Sequence, residues 1–595
     1  MRTDGYAPIR DYAAIGDGRT VALVAGDGSI DWLCVPDIDS PPLFAALLDA
    51  ERGGRFALAP VEPFESHRRY RDGSNVLETT FRTERGTARV VDGMTLASRH
   101  TLTPLREVVR KVEGLDGTVA MRWRVEPRFD FGRREPRLEP RGTGVVASSR
   151  GHAVLLSAWG GEPELAGDAV HGEIAVAEGE TATFSLAAAV GQPLVLPGQA
   201  DTERRLDHAD AFWRDWSARA SYDGPWREAV VRSALALKLL VFAPSGAMVA
   251  AATTSLPEDI GGSRNWDYRF TWLRDSAYTL DALSALGYED EAHAFFWWLM
   301  HATRRTQPRL EVLYRVDGRS RSSEVELEHL SGYRGSRPVR TGNAAADQVQ
   351  LDVYGAVMDS IWRHVESHGD LGGESGRSVA KLADYVAENW RSTDSGIWEV
   401  RSEPTHFVQS KVMCWVALDR ACRLAAQQVI PDRSDRWQAE ADQIRRFVDE
   451  HGWDDERQSY VRATDLRELD ASLLTLPLVG FAGPRVTSTV DAIRRELGRG
   501  PFVYRYRGPD GVEGKDEAFL TCSFWLVDAL ARTGRREEAG ELMDELVGRA
   551  NDVGLFAEEI DARTGDFLGN FPQALVHLAL IKAAVSIEGR VGEER

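Results

Sequence analysis

The sequence predicts a multidomain β + α protein in which an N-terminal antiparallel β-sandwich precedes a linker helix and an (α/α)6 toroid, a ring of six helix pairs. Three observations underlie this prediction. Residues 1–200 form short alternating apolar and polar runs separated by turn residues, as in β-sandwiches. Residues 201–225 change to a helical period and then stop, which is typical of a linker helix. Residues 226–595 contain helical segments whose connecting loops alternate in length.

Composition excludes several classes of partner. The 595-residue chain has 72 Lys and Arg against 92 Asp and Glu, a formal net charge of −20 and a pI near 5.2. Nucleic acid and anionic membrane surfaces suit such an acidic chain poorly, and a neutral or cationic small molecule suits it better. No apolar run approaches the length that a membrane span needs.

The cysteines and the N-terminus indicate the compartment. The cysteines are scattered without paired or metal-binding spacing, at Cys34, Cys414, Cys422 and Cys522. We interpret them as reduced thiols in the core. The first residues, M-R-T-D-G-Y-A-P-I-R-D-Y, lack the apolar core of a secretion signal. These features together predict a cytoplasmic protein.

Turn pairs divide the β region into strands. Asp27-Gly28, Asp72-Gly73 and Asp116-Gly117 are typical hairpin turns. Gly16-Asp17-Gly18 and Gly26-Asp27-Gly28 look like phosphate-binding loops, but neither has the lysine or the following helix, so we interpret both as turns. The predicted strands cover 20–24, 54–58, 75–82, 87–91, 118–125, 144–148 and 181–190.

Helical periodicity begins at residue 201. The linker helix is predicted to span 201–219, and the turn residues at 221–225 stop it. Several later segments are apolar on more than one face, as expected for inner helices covered by outer ones. The twelve predicted segments cover 226–242, 275–286, 289–304, 344–367, 377–391, 408–427, 432–451, 468–479, 485–497, 517–533, 535–550 and 572–584.

The lengths of the connections predict where a site lies. Loops after the even-numbered segments have about one to nine residues, and loops after the odd-numbered segments have about sixteen to forty. This alternation places all the long loops on one face of the ring. Because long loops in a compact domain are usually functional, we expect a pit built from them at that end.

The stretch Ser263 to Thr279 stands out within the first long loop. It reads S-R-N-W-D-Y-R-F-T-W-L-R-D-S-A-Y-T, with five aromatic and five charged residues, and it leads into a helix. Such residues bury poorly unless a polar group meets them. A sugar is a suitable ligand for these residues, since its C–H faces stack on aromatic rings and its hydroxyls form hydrogen bonds with charged groups. An Arg274-Asp275 pair that caps the helix beside core tryptophans is the structural alternative.

The other long loops add carboxylates on opposite sides of the ring. Two facing carboxyl groups are what glycosidic cleavage needs, because one protonates the leaving oxygen and the other activates water or attacks the anomeric carbon. The sequence contains no H-E-x-x-H, no clustered Cys and His, and no calcium-binding loop, so we expect no catalytic metal and no cofactor. G-x-S-x-G and Walker patterns are also absent. We interpret Glu326-Leu327-Glu328-His329 as a solvated loop.

Six ordered motifs of the helical half resemble glycoside hydrolase family 15, the family of glucoamylases and bacterial trehalases. They are N-W-D-Y-R-F-T-W-L-R-D-S from Asn265, G-N-A-A-A-D-Q-V-Q-L-D-V-Y-G from Gly342, G-I-W-E-V-R from Gly396, H-F-V-Q-S-K-V-M-C-W-V-A-L-D-R-A from His406, E-L-D-A-S-L-L from Glu468 and N-D-V-G-L-F-A-E-E-I-D from Asn551. The N-terminal I-G-D-G-R-T-V-A-L-V-A-G-D-G-S-I-D-W-L-C-V-P resembles the sandwich of prokaryotic members. The resemblance covers nearly the whole chain and makes 226–595 the catalytic domain.

The resemblance implies roles for individual residues. Glu399 matches the general acid and Glu558 the general base of an inverting hydrolysis, with Glu559 as the alternative to Glu558. We expect Trp398 and Ile397 to give Glu399 an apolar setting, which favours the protonated form that a general acid needs. The remaining matches are substrate-binding residues, of which the first three hold the glucose to be cleaved: Trp272, Arg274, Asp275, Trp398, Arg401, His406, Lys411 and, where Glu558 is the base, Glu559.

The resemblance also bears on the substrate. Fungal glucoamylases have a second carboxylate after the acid, and this chain has Val400 there. That difference, with the bacterial organisation of the chain, favours trehalose or a short α-glucan over starch. A pit selects chain ends, so we expect exo action that releases β-glucose.

Two other functions remain open from the sequence. A sugar phosphorylase on a similar toroid would replace the water by phosphate and would not need Glu558. A non-catalytic sugar-binding protein would keep Trp272, Arg274 and Asp275 but would not need both glutamates. The sequence gives no indication of an oligomeric state.

Overall fold

The computed structural model describes residues 2–96, 105–142, 144–320, 323–514 and 516–589. Within the described residues up to 190, the chain forms fifteen antiparallel strands. Twelve toroid positions plus a linker would need thirteen helices. The described part of the chain contains twelve α-helices and several 3-10 helices.

The strands form two layers that share one long strand. Phe56 and Trp123 of one layer contact Phe184 of the other, at ring-centroid distances of 6.2 and 5.3 Å. This contact makes the region a sandwich, because apolar rings from facing sheets meet in its interior. The strands are β1 Tyr12–Gly16, β2 Val21–Ala25, β3 Ile30–Cys34, β4 Pro42–Phe44, β5 Phe56–Pro60, β6 Glu65–Tyr70, β7 Leu77–Thr83, β8 Gly86–Met94, β9 Arg106–Val125, β10 Arg137–Arg141, β11 Gly144–Ser149, β12 His152–Trp159, β13 Glu164–Ala166, β14 Ala169–Ala177 and β15 Thr181–Val190.

Strand β9 passes from one layer to the other. Its first half pairs with β8 and β15, and its second half pairs with β5 and β14. The predicted turn at Asp116-Gly117 lies inside this strand, so the prediction of a hairpin there is wrong. Gly117 has a φ of +61°, and Asp116 and its neighbours are exposed, so the pair bends the strand without reversing it.

The α-helices after residue 226 form a closed double ring. Helices α3, α5, α7, α10 and α12 contact one another in turn around the inside, and a pair of 3-10 turns completes the circuit between α7 and α10. The other helices lie outside. The bounds are α1 Gln199–Ser217, α2 Arg227–Leu240, α3 Ser276–Ala285, α4 Glu289–Arg304, α5 Asp352–His368, α6 Gly373–Asn389, α7 Val408–Ala426, α8 Ser434–His451, α9 Pro484–Leu497, α10 Leu520–Arg532, α11 Arg536–Val547 and α12 Ala574–Ile587.

Burial explains which helices are inner. Nearly every residue of α12 is buried, whereas α8 buries only Trp437, Ala441, Ile444 and Val448, at a spacing of three or four. A helix with one apolar stripe covers a core, and a helix that is apolar all round fills it. The fold class predicted from the sequence is therefore confirmed.

One predicted helix is not an α-helix. The segment 468–479 consists of two 3-10 helices, Ala471–Thr475 and Pro477–Val479. Pro477 has no backbone N–H and disfavours an α conformation in the residue before it, so an α-helix cannot run through this position. The two short turns nevertheless occupy the place of the fourth inner helix.

Helix α1 joins the two halves. Arg205 of α1 forms an ion pair of 2.8 Å with Glu107 of β9, and Trp216 stacks on Tyr288 with ring centroids 4.0 Å apart. The helix begins two residues before the predicted linker helix. None of the helices in the described ranges has both the length and the apolar composition that crossing a bilayer requires.

The sandwich forms hydrogen bonds with the first long loop of the toroid. Trp32 Nε1 donates a hydrogen bond of 2.8 Å to the Ala252 carbonyl, and Arg269 Nη1 donates one of 2.7 Å to the Ser40 carbonyl. Arg269 also pairs with Asp267 at 2.7 Å, in a fully buried position. The first long loop of the toroid is thus fixed against the β domain, which holds its other face toward the pit.

Candidate active site

The long loops surround a pit that is open to solvent. Most of the long loops contribute to its wall, in agreement with the alternation of loop lengths, but the connection after α8 contributes no lining residue. The residues that line it are Ala250, Glu258, Arg264, Trp266, Tyr268, Trp272, Arg274, Asp275, Asn343, Ala345, Gln348, Ile397, Trp398, Glu399, Val400, Arg401, Arg505, Tyr506, Asp510, Val512, Phe519, Trp525, Gln573 and Leu575.

The aromatic stretch supplies one wall by strand alternation. Trp266 and Tyr268 line the pit, while Asp267 and Arg269 between and beyond them point to the β domain. Successive side chains of an extended segment lie on opposite faces, so a single short stretch serves both surfaces. For the Arg274-Asp275 pair, the structure places Asp275 at the N-cap of α3 without a side-chain capping hydrogen bond, and both side chains line the pit.

Glu399 lies on the pit wall in a strained backbone position. Its φ is +57°, in the left-handed region that residues with a side chain rarely adopt. Trp272 Nε1 donates a hydrogen bond of 2.5 Å to its carboxylate, and Arg274 Nη1 lies 3.3 Å from the same oxygen. The prediction that Glu399 has an apolar setting is therefore wrong, because an indole N–H and a guanidinium contact its carboxylate directly.

Glu558 is buried directly behind Tyr268. The Tyr268 hydroxyl donates a hydrogen bond of 2.6 Å to Glu558 Oε1, and the Asn570 N–H donates one of 3.3 Å to Oε2. Burial, followed by the neighbouring carboxylate of Glu258, raises the pKa of Glu558 to about 8. Arg505 and the two hydrogen bonds act in the opposite direction.

A pair of aromatic rings connects the two carboxyl groups. The rings of Tyr268 and Trp272 meet edge to face, with centroids 5.3 Å apart. Tyr268 bonds to Glu558 and Trp272 bonds to Glu399. The two glutamates are 159 positions apart in the chain, yet each is held by one member of the same aromatic pair. The structure therefore brings them to one end of the toroid, with Glu399 on the wall of the pit and Glu558 behind Tyr268, which lines the pit.

Arg274 and Asp275 lie beside Glu399. The Arg274 Nε lies 3.3 Å from the Asp275 carboxylate, and both side chains line the pit. Burial raises the pKa of Asp275, and Arg274 opposes that rise. The pair leaves donor and acceptor atoms at the bottom of the pit, where a sugar hydroxyl needs both.

Glu559, like Glu558, is not one of the residues that line the pit. It belongs to a buried cluster with Glu258 and Asp516, three carboxylates whose oxygens lie within 4.8 Å of one another and could hold a cation. The Arg505 guanidinium lies among them, 2.8 Å from Glu258, 2.9 Å from Asp516 and 3.0 Å from Glu559. Arg505 thus supplies the positive charge that this cluster needs.

Trp398, Val400 and Arg401 also line the pit. The Trp398 indole donates to Asp470 Oδ1 at 2.8 Å, which fixes its ring in the pit. Val400 is buried against Phe407, so no carboxylate occupies its position. Arg401 lies 4.5 Å from the centroid of the Trp266 ring, at the mouth of the pit.

Two sequence-predicted binding residues lie away from the pit. Lys411 is buried in α7, and its ammonium donates to the carbonyls of Trp390 and Ser392 at 2.7 and 2.5 Å. These carbonyls follow the C-terminal end of α6, so the charge caps that helix. His406 packs against Phe447 with centroids 5.7 Å apart. The prediction that these two residues bind substrate is not supported by their positions.

Several lining residues were missed by the sequence analysis. Glu258 precedes the aromatic stretch, and Arg264 pairs with Asp510 across two long loops at 2.7 Å. Tyr268 was inside the stretch, but no role was assigned to it. The alternation of Trp266, Tyr268 and Trp272 was the available signal, because it places Tyr268 on the same face as the two tryptophans.

Comparisons with known proteins agree with this geometry. A profile described as Glycosyl hydrolases family 15 matches residues 224–585, and one described as Trehalase-like, N-terminal matches residues 2–213. The chain is 38% identical to a trehalase of Mycobacterium tuberculosis, over 98% of this chain and 90% of the relative. It is 36% identical to a trehalase of Thermoplasma volcanium, over 99% of this chain and 95% of the relative.

The fold also matches a solved structure. A bacterial glucoamylase complexed with acarbose superimposes with a TM-score of 0.71, covering 99% of this chain and 95% of that one. At 13% sequence identity this likeness concerns the fold alone.

Proposed function

The chain belongs to the glycosyl hydrolases family 15, and on that premise we propose that it hydrolyses trehalose with inversion at the attacked carbon. It is a glycoside hydrolase. The observation that carries the proposal is the pairing of Glu399 with Trp272 and of Glu558 with Tyr268, on two aromatic rings in contact. An inverting hydrolase needs two carboxyl groups at one sugar-sized site with room for a water molecule.

In the proposed mechanism a terminal glucose enters the pit with its ring against Trp272. Arg274 and Asp275 bind its hydroxyls. Glu399 donates a proton to the glycosidic oxygen, so that the second sugar leaves as a neutral alcohol. Glu558 removes a proton from a water molecule that attacks the anomeric carbon from the opposite face.

The electrostatics of Glu558 support a role in proton transfer. A base is most effective when its pKa lies near the working pH, and burial beside Glu258 brings the pKa of Glu558 to about 8. The Tyr268 hydroxyl is positioned to orient both Glu558 and a water molecule at the edge of the pit. A raised pKa also suits a proton donor. The exchange of the two roles is therefore an outcome that the experiments below are designed to detect.

Three observations favour trehalose over a longer α-glucan. Relatives that align over almost the whole chain are trehalases, residues 2–213 match a trehalase-like profile, and Val400 provides no carboxylate in the wall. Glu399 lines the pit beside Arg274 and Asp275, and Glu558 lies behind Tyr268, which also lines it. Because a pit admits the ends of chains, the proposal includes exo action on a small α-glucoside.

A substrate panel tests this proposal. We expect glucose release from trehalose to exceed that from maltose, isomaltose, maltotriose and starch by a factor of about 100 or more in kcat/KM, equivalent to roughly 3 kcal/mol of transition-state binding. The assay is run with and without inorganic phosphate, and products are separated by ion chromatography. Glucose 1-phosphate as the product would identify a phosphorylase, and binding without turnover of any sugar would identify a binding protein.

We also propose a cytoplasmic location. The four cysteines are free thiols in the structure, and three of them are buried. Disulfides are rare in the reducing cytoplasm, so a chain of this length with four unpaired cysteines suits that compartment. The proposed partner is a small α-glucoside, without nucleic acid or membrane.

A further inference from the structure

Three histidines meet on the face of the toroid opposite the pit. His293 lies near the start of α4, and His364 and His368 lie at the end of α5. These helix ends adjoin short connections, whereas the pit is built from the long ones. One nitrogen from each of the three rings lies within 4.8 Å of the others.

The packing fixes one ring and leaves two adjustable. His364 is 6% exposed and stacks on Phe296, with centroids 3.6 Å apart and planes 6° apart. His368 stacks on His364 at 4.4 Å, and His293 lies 5.6 Å from His368. Both outer rings are exposed. Spacing of i and i+4 puts His364 and His368 on one face of α5.

Hydrogen bonds leave ring nitrogens available. His368 Nδ1 lies 3.2 Å from the His364 carbonyl, so when that nitrogen carries the proton, Nε2 has a free lone pair. Metal-bound histidines usually donate their other N–H to such a carbonyl. On His293, Trp297 Nε1 donates to Nε2 at 2.9 Å, so Nε2 holds the lone pair, and a metal ion bound there would take the place of the indole N–H.

We propose that His293, His364 and His368 form a binding site for a divalent transition metal ion of the zinc class. Neutral imidazole is a preferred ligand of such ions, with Zn–N distances of about 2.0–2.1 Å and ligand nitrogens therefore about 3.3 Å apart in a tetrahedron. Rotation of the two exposed rings about their side-chain bonds closes the remaining distance. Solvent supplies the fourth ligand.

The surroundings provide a route for the ion. An open cavity of about 700 Å³ borders His364 and His368 and is also lined by Ser284, Ala292 and Trp362. The site joins α4 to α5, one outer and one inner helix. Because it lies on the face away from the pit, its ion would stabilise the ring and take no part in hydrolysis.

The sequence alone did not indicate this site. His293 and His364 are 71 positions apart, so no cluster of His and Cys is visible in the sequence, and we expected no metal. That expectation concerned a catalytic metal at the pit. The carboxylates of Glu258 and Glu559 there are paired with the Arg505 guanidinium. The histidine site is a separate, non-catalytic one.

Zinc titration of the full-length protein tests the proposal. After chelator treatment and dialysis, we expect isothermal titration with zinc chloride to show one ion per chain. His293→Gln and His368→Gln should each weaken zinc binding by roughly 100-fold. Substitution of a residue that only contacts a metal ligand already lowers metal affinity by roughly 10- to 100-fold, so loss of a ligand should cost at least the upper value. His301→Gln is the matched control, because His301 is exposed on the same helix and outside the cluster. Magnesium chloride should not compete.

Thermal denaturation gives a second readout. Zinc should raise the midpoint of the wild type and of His301→Gln, and should leave the midpoints of the other two variants unchanged. Both substituted residues are exposed, so circular dichroism of the metal-free variants should match the wild type. Absence of saturable zinc binding would overturn the proposal. Binding that persists in both His293→Gln and His368→Gln would overturn it as well, because the ion would then lie elsewhere.

Discussion

Glu558→Gln is expected to lower kcat for trehalose by about 10³-fold, within the range that a general base contributes, with little change in KM. The amide is nearly isosteric with the carboxyl group but cannot take a proton from water. Since the base acts only in the transition state, the loss should appear equally in kcat and in kcat/KM. Steady-state kinetics with coupled glucose detection measures both.

The control for this variant separates chemistry from folding. Glu374→Gln changes an exposed glutamate of α6 in the same way and should keep wild-type activity. Glu558→Gln should also keep the far-ultraviolet circular dichroism of the wild type, which excludes a folding defect. A kcat for folded Glu558→Gln within about threefold of the wild type would remove Glu558 from the chemistry.

Glu399→Gln is expected to lower kcat for trehalose by a similar factor of about 10³, yet to lose less than about tenfold on α-glucosyl fluoride. Fluoride leaves without a proton, so a missing general acid matters little for that substrate. The general base is still required. The Glu558→Gln variant should therefore fail on both substrates, and the contrast between the two variants assigns the roles.

The pH dependence of Glu399→Gln adds an independent test. A general base works in its deprotonated form, so the rate on α-glucosyl fluoride should rise with pH and level off above the pKa of Glu558, which lies at about 8 in the free protein. The roles are reversed if Glu558→Gln hydrolyses the fluoride well and Glu399→Gln does not. In that case Glu558 is the proton donor.

The toroid was predictable because its signals are local and repeated. Each helix shows its own period, and the alternation of short and long loops depends only on counting residues between helices. The inner segment at 468–479 was assigned the wrong helix type because its apolar residues keep a helical spacing although Pro477 prevents an α conformation. Only the second half of strand β9 was predicted, as 118–125, because Asp116-Gly117 is a turn signal that here produces a bend.

The candidate site was predictable only where a motif names the residue. Glu399, Glu558, Trp272, Arg274 and Asp275 were selected by motif. Four of them line one pit, and Glu558 lies behind Tyr268, which lines the same pit. The pKa of Glu558 could not be predicted, because it depends on burial behind Tyr268 and on the charge of Glu258.

Motifs also mislead where they contain structural residues. Lys411 and His406 share a motif, but the Lys411 ammonium caps a neighbouring helix, and this contact involves carbonyls some twenty positions earlier. The histidines of the proposed zinc site were invisible for the opposite reason. They belong to two helices whose contact is set by the closure of the ring, and no local pattern encodes that contact.

The stereochemistry of trehalose hydrolysis tests the central claim most directly, namely that Glu399 and Glu558 act together to invert the attacked carbon. Both carbons of the linkage in trehalose have the α configuration. Inversion at one of them releases α-glucose and β-glucose in equal amounts before the anomers equilibrate, and proton NMR in the first minutes of the reaction resolves the two signals. Equal initial amounts are expected. Formation of α-glucose alone would show retention and would contradict the proposed arrangement of acid, water and base.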